Sequence, residues 1–250
     1  MPSISDIKSL AASALGALFP SSCLSCRQPR PIAEAGLCQQ CLGTLRYPPL
    51  NLCAICAASL DFTYEIDTGT EYFCGQCRQN PPPYGAAVYA LAYEGPARDL
   101  IHAFKFGYSP YLAKPLAMLG RERLVPWLAA RKGSVIVPTP LHWRRLYWRG
   151  YNHAYLLAVR LGRMAGLPVE EGLLTRTRHT AQQFGLSRDK RNENVKSAFK
   201  APNPARVQGR DIILFDDIVT TGATVGECAK AIWKAKPNSV SVASLCKAGD

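Results

Sequence analysis

Asp216 and Asp217 stand at the end of an unbroken apolar run, Ile212-Ile213-Leu214-Phe215, and a hydroxyl-rich stretch, Thr220-Thr221-Gly222-Ala223-Thr224, follows them. Two carboxylates repel phosphate, so their chemistry is to hold sugar hydroxyls or a magnesium-bound group. The threonines supply hydroxyl donors, and Gly222 lets the backbone come close to a phosphate. Together they describe a ribose-phosphate site. Such a site needs a strand that ends at the ligand and a helix that begins there. The apolar run, with no polar break, reads as a buried parallel strand over 212–217. Residues 224–236 read as the helix behind the loop, whose first-turn N–H groups and dipole make an anion site.

The run of apolar strand, acid pair and T-T-G-x-T resembles the phosphoribosyl-pyrophosphate (PRPP) motif of type I phosphoribosyltransferases. By that resemblance Thr220, Thr221, Gly222, Ala223 and Thr224 bind the 5-phosphate. Asp216 and Asp217 hold the ribose 2- and 3-hydroxyls, and Mg2+ accompanies PRPP. An ordinary strand–loop–helix turn capped by acids is the alternative. Neither the G-x-x-x-x-G-K-[ST] loop nor a dinucleotide fingerprint occurs in the sequence.

Two other segments should reach the same sheet edge. Val135-Ile136-Val137-Pro138-Thr139-Pro140 is a strand running into a rigid loop, and Arg144, Arg145 and Arg149-Gly150-Tyr151-Asn152 follow. The resemblance implies a pyrophosphate role for Thr139 and its neighbours, with Arg149 neutralising charge. The other reading is a solvated basic face with Trp143 and Trp148 packed on the core. Leu174 to Lys200 is long, polar and basic, which suits a lid or binding loop. Its order resembles the flexible loop of amidophosphoribosyltransferases, so Arg188, and with it Arg191, would meet the departing pyrophosphate as its charge grows. An exposed loop of general positive charge is the bland alternative. His153 and His179 are candidate bases, although a lone histidine is more often structural.

Eight of the ten cysteines form four C-x-x-C pairs: Cys23/Cys26, Cys38/Cys41, Cys53/Cys56 and Cys74/Cys77. Each pair can present two thiolates to one tetrahedral ion, so two pairs complete a structural zinc site. One ion per two neighbouring pairs is the preferred arrangement, with a cross-braced pairing left open. Disulfides fit less well, because no secretory signal is visible. Cys228 and Cys246 stand alone and read as buried apolar residues.

The remaining chain organises around these groups. Residues 1–20 read as an N-terminal helix, too short and interrupted to span a bilayer. A helix packed on the zinc module is favoured over one lying on a membrane surface, which would make a peripheral association. Residues 21–80 read as a double zinc ribbon, and Pro81-Pro82-Pro83 ends it. Residues 84–250 alternate strand and helix, which favours an α/β fold with a parallel sheet and right-handed crossovers. Ligands in such sheets bind beyond the carboxyl ends of the strands. A net charge of +12 and an apolar content of 48% describe a chain with a core and an anionic partner. The many thiols and the lack of a targeting signal point to the cytoplasm.

The four C-x-x-C pairs, Ile101-His102-Ala103-Phe104-Lys105-Phe106, Pro138-x-Pro140, Arg149-Gly150-Tyr151-Asn152, Gln183, Arg188, Asn194 and the acid–threonine motif together resemble the ComF family. That resemblance implies a double zinc ribbon, with two structural Zn2+ ions, fused to a type I phosphoribosyltransferase-like domain. It also implies a part in DNA uptake, natural competence or the use of external DNA, alongside DNA-import proteins. Phosphoribosyltransferases select their acceptor with a hood outside the core sheet. With little sequence after Cys246, the zinc module is the candidate for that place. Two expectations follow. One is a phosphoribosyltransferase with an unnamed acceptor. The other is a non-catalytic adaptor that binds single-stranded DNA through its basic loop and aromatics such as Tyr147 and Trp148, with PRPP as a regulatory ligand.

Overall fold

The computed structural model describes residues 22–60, 71–178 and 193–249. The expected N-terminal helix and the loop residues His179, Gln183, Arg188 and Arg191 lie outside the described residues.

The cysteine-rich part opens with hairpin strands β1 (Ile32–Glu34) and β2 (Leu37–Cys38), then helix α1 (Gln39–Gly43) and, further on, α2 (Gly75–Gln79). Its two halves repeat the same local geometry. In the first knuckle the N–H of Arg27 donates to Cys23 O at 3.0 Å; in the second, Ala57 donates to Cys53 O at 2.8 Å. Arg27 and Ala57 both sit in the left-handed region, at φ 61° and 54°. That turn wraps the peptide around its two sulfurs at the cost of a strained residue.

The α/β part alternates as the pattern predicts: β3 (Ala86–Ala92), α3 (Gly95–Phe106), α4 (Ala113–Ala129), β4 (Val135–Pro138), α5 (Trp143–Arg149), α6 (His153–Ala165), short strands β5 (Thr175–Arg176) and β6 (Phe199–Lys200), β7 (Asp211–Val219), α7 (Ala223–Trp233) and β8 (Ser239–Lys247). The main sheet has the order β3-β8-β7-β4, and every neighbouring pair is parallel. Alternate residues of β7 enter opposite cores. Ile213 and Phe215 pack with α3, α4 and α6, whereas Ile212 and Leu214 pack with α7. Burial on both faces is why the strand reads as an unbroken apolar run. Phe215 is fully buried, so truncation to alanine would cost about 3–5 kcal/mol.

Close packing also needs glycine. A Cβ on Gly162 of α6 would lie 2.7 Å from Val169 Cγ2 and 3.0 Å from Leu167 O, so only glycine lets the helix settle against that connection.

The two cysteine tetrads are attached differently. Cys23, Cys38 and Cys41 join the same core cluster as Leu100 and Phe104. Ser25 Oγ donates to Asp99 Oδ2 at 2.7 Å, and Ala92 N donates to Arg46 O at 2.9 Å. Cys53, Leu60 and Cys77 form a small core of their own, bridged to the sheet through Ile55. Helix α5 was not expected as a helix. None of its residues is buried, and Trp143 and Trp148 are exposed rather than packed on the core.

Candidate functional site

Each element ends where the sequence pattern sends it. Strands β4 and β7 run side by side, with Pro138 opposite Phe215, so Thr139 emerges next to Asp216. Thr139 is buried, and its hydroxyl donates to Asp216 Oδ1 at 2.8 Å. Its backbone carbonyl accepts from Asn152 Nδ2 at 3.1 Å, while Asn152 Oδ1 caps α6 by accepting from Tyr155 N. Asn152 thereby ties a helix start to the loop after β4. Thr139 is committed to orienting an acid rather than pointing into open space.

After β7 the chain turns through Gly222, at φ 78°, a conformation that favours glycine. Helix α7 starts at Ala223, with its first-turn N–H groups at the loop. Thr220, Gly222, Ala223 and Thr224 line a cavity of about 510 Å³ together with Asp216 and Asp217. Thr221 is not among the lining residues; its Oγ1 accepts from Ala223 N at 3.4 Å and shapes the turn.

The cavity brings acids and cations together. Lys105 Nζ, from the last turn of α3, lies 2.9 Å from Asp217 Oδ1. Burial, then the neighbouring Asp217 charge, push the Asp216 carboxyl up to about 7. Arg145, Arg149 and Arg176 line the same cavity. Burial, then Arg176 and Arg149, bring Arg145 down to about 10; burial lowers Arg149 and Arg176 as well. Three guanidinium groups and a hydroxyl-and-amide loop lining one cavity can hold an anion. Arg149 also lies over the Phe106 ring, 5.0 Å from its centroid.

His153 also lines the cavity, and burial brings it down to about 4, so it is neutral near pH 7. Its Nε2 is 3.2 Å from Phe104 O, and a carbonyl only accepts, so Nε2 carries the proton. That leaves Nδ1 as the acceptor of the ring.

Of the residues expected at one site, Thr139, Arg149, Asp216, Asp217, Thr220, Gly222, Ala223 and Thr224 come together around one cavity. Arg188 lies outside the described residues. Lys105, Arg145, Asn152 and Arg176 belong to the site without having been assigned a role in it. The signal for Lys105 and Asn152 was their place in short motifs.

The cysteines meet as two sets, Cys23/Cys26/Cys38/Cys41 and Cys53/Cys56/Cys74/Cys77, with each set's sulfurs within 4.8 Å of one another. This is the sequential pairing and not the cross-braced one. Cys26 and Cys38 sulfurs are 4.0 Å apart, and those of Cys56 and Cys74 are 3.7 Å apart. A tetrahedral zinc with Zn–S of about 2.3 Å requires S···S of about 3.8 Å. Four thiolates within 4.8 Å of one another repel, so a filled set requires a cation at its centre. Both tetrads fit a metal ion. Cys228 and Cys246 are buried, as apolar residues would be.

Fold and site define an α/β protein with a parallel sheet, a hydroxyl-and-amide loop at the strand ends and two four-cysteine groups that could each hold a metal ion. The chain is 35% identical over 235 residues to DNA utilization protein YhgH of Escherichia coli (strain K12), covering 91% of this chain and 97% of that one. It is 31% identical to Competence protein F of Haemophilus influenzae, over 92% of this chain and 98% of that one. It is 33% identical to Competence protein ComFC of Bacillus subtilis over 60% of this chain and 54% of that one. The chain belongs to the ComF family, with these proteins. No family model matches the sequence.

Among solved structures, a hypoxanthine phosphoribosyltransferase from Staphylococcus aureus aligns over 54% of this chain and 62% of its own, at 13% identity and TM-score 0.36. Glutamine PRPP amidotransferase from B. subtilis aligns over 53% of this chain, at 18% identity and TM-score 0.35. This chain spans 26% of that enzyme's length. At these scores the likeness carries no weight for function, which rests on the site.

Proposed function

We propose that the cavity binds PRPP with Mg2+ and that the protein is a phosphoribosyltransferase-like member of the ComF family acting in DNA uptake or the use of external DNA. One observation carries this reading: the acid pair and Thr220, Gly222, Ala223 and Thr224 line one cavity with Arg145, Arg149 and Arg176. A ligand with a phosphate, vicinal hydroxyls and a second polyanionic group matches that set of groups. The 5-phosphate would take the N–H groups at the start of α7. Asp216 and Asp217 would accept from the ribose hydroxyls, and the arginines would meet the pyrophosphate. Magnesium, bound with PRPP, would neutralise pyrophosphate charge. In a transfer, a nucleophile forms a bond to the anomeric carbon as the bond to pyrophosphate oxygen breaks. The electron pair leaves on pyrophosphate, where Arg145, Arg149 and Arg188 would stabilise it. The names of the relatives, DNA utilization protein and competence protein, support the biological setting.

Thermal unfolding tests the binding. PRPP with Mg2+ should raise the midpoint at least as far as ribose 5-phosphate and pyrophosphate do separately, because ligand at a hundredfold over Kd adds about 2.7 kcal/mol. An unmoved midpoint sinks the reading.

Helix α5 favours a second reading, an adaptor for single-stranded DNA regulated by PRPP. It carries exposed Trp143, Tyr147 and Trp148 among Arg144, Arg145 and Arg149, with no acid. Stacking platforms interleaved with cations suit unpaired bases and their phosphates, at about 1–3 kcal/mol per stacked base. Single-stranded DNA affinity should fall steeply with salt and with Trp148→Ala; a flat salt response counts against it.

A further inference from the structure

A second cavity, of about 520 Å³, opens beside helix α3. It is lined by Arg27, Arg98, Asp99, His102, Ala103 and Phe106. His102 and Phe106 also line the first cavity, so the two are neighbours that share one wall. Arg27 is the strained residue of the first cysteine knuckle, which brings the metal module to the edge of the site.

The chemistry of this cavity differs from that of the first. Two guanidinium groups and an imidazole stand against one carboxylate. That carboxylate is already engaged: Asp99 Oδ2 accepts from Ser25 Oγ at 2.7 Å, and its Oδ1 lies 3.8 Å from Arg98 Nε. The balance favours a ligand with a compact anionic group. The shared wall is aromatic. His102 and Phe106 rings lie 5.6 Å apart, tilted at 57°, with the Arg149 guanidinium over Phe106. An edge of two tilted rings suits a planar, unsaturated group. The volume lies within the range of small-molecule sites, roughly 300–1,000 Å³.

We propose that this second cavity binds a nucleoside monophosphate, its phosphate on Arg27 and Arg98 and its base against His102 and Phe106. The binding stands on the second cavity alone. Its consequence, that two ligands meet across one wall, rests on the PRPP reading above. In that case the first metal module is the outer wall of the second ligand's site and selects what approaches the ribose.

The test is calorimetric titration of the full chain with adenosine 5′-monophosphate, adenosine and inorganic phosphate. The variants are Arg27→Gly/Arg98→Gln and Asp216→Asn. Glycine suits the left-handed turn at position 27, so the knuckle should keep its metal, which zinc analysis checks. The nucleotide should bind at least tenfold tighter than adenosine or phosphate. It should lose at least tenfold in the double variant, and should keep its affinity in Asp216→Asn and in protein saturated with PRPP. Displacement by PRPP would assign the nucleotide to the first cavity and overturn the proposal, as would an affinity indifferent to Arg27 and Arg98. Failure of PRPP itself to bind would remove the function proposed above, while the dependence on Arg27 and Arg98 would still decide the second cavity.

Discussion

Lys105 Nζ and Asp217 Oδ1, 2.9 Å apart, join the last turn of α3 to the end of β7. The lysine sits at the negative end of its helix dipole, and the aspartate is buried. The contact neutralises one of two adjacent carboxylates and fixes the acid pair before any ligand arrives. Removing one partner of such a pair leaves a charge without compensation, and Lys105→Met should cost about 3 kcal/mol of stability. Asp217→Asn in the same chain should recover part of that loss, giving a favourable coupling energy. Urea unfolding of the two single variants and the double variant measures it; strict additivity would show that the pair does not interact.

The pH response of Asp216 has a definite sign. Its folded-state pKa, raised to about 7, exceeds the ordinary value of 3.8, so the folded protein holds a proton that the unfolded chain releases. The group therefore adds stability as pH falls from 7 towards 4, and that contribution is lost as pH rises through 7. His153 acts oppositely over a similar range. Its pKa falls from 6.5 to about 4, so its contribution is lost as pH drops below 6.5. Asp216→Asn should remove the first dependence and expose the second, measured as the unfolding midpoint between pH 4 and 8. Ligand hydroxyls need the ionised acid, so PRPP affinity should rise from pH 6 to 8 in the wild type and stay flat in Asp216→Asn.

Metal analysis should give two zinc ions per chain, falling to one when either tetrad loses a cysteine. The two losses should differ in effect. Cys38 belongs to the main core cluster, whereas Cys77 belongs to the small separate one. Cys38→Ser should therefore lower the unfolding midpoint of the α/β domain more than Cys77→Ser. Equal shifts would contradict this division.

Arg149 borders the cavity beside Asp217 and Phe106. A hydrogen bond to a charged group contributes about 1.5–3 kcal/mol, so Arg149→Ala should weaken PRPP binding about ten- to a hundredfold. The wild-type affinity should also fall with added salt, and the variant's less steeply. Equilibrium dialysis at two salt concentrations distinguishes this from a purely structural role.

Local pattern made β7, its loop and α7 legible, because a strand buried on both faces leaves a continuous apolar run and Gly222 marks the turn. The C-x-x-C spacing likewise foretold the tetrads, although only their three-dimensional placement chose the sequential pairing. Lys105 stands in a short motif that does not disclose its partner, because Asp217 lies far along the chain and only the fold brings α3 to β7. Helix α5 was missed for a different reason. It buries no face, so its sequence carries no amphipathic period, and its aromatics read either as core residues or as an exposed surface. The merging of the first tetrad with the α/β core was hidden too, because tertiary contacts such as Ser25 to Asp99 leave no trace in spacing.

Whether the acid pair and threonine loop form a PRPP site is decided by calorimetric titration of PRPP with Mg2+ into wild type, Asp216→Asn and Thr224→Val. One molecule should bind per chain in the wild type, with at least a tenfold loss in each variant whose unfolding remains cooperative. An absence of binding by the wild type, or affinities unchanged by both substitutions, would contradict a PRPP site at these residues.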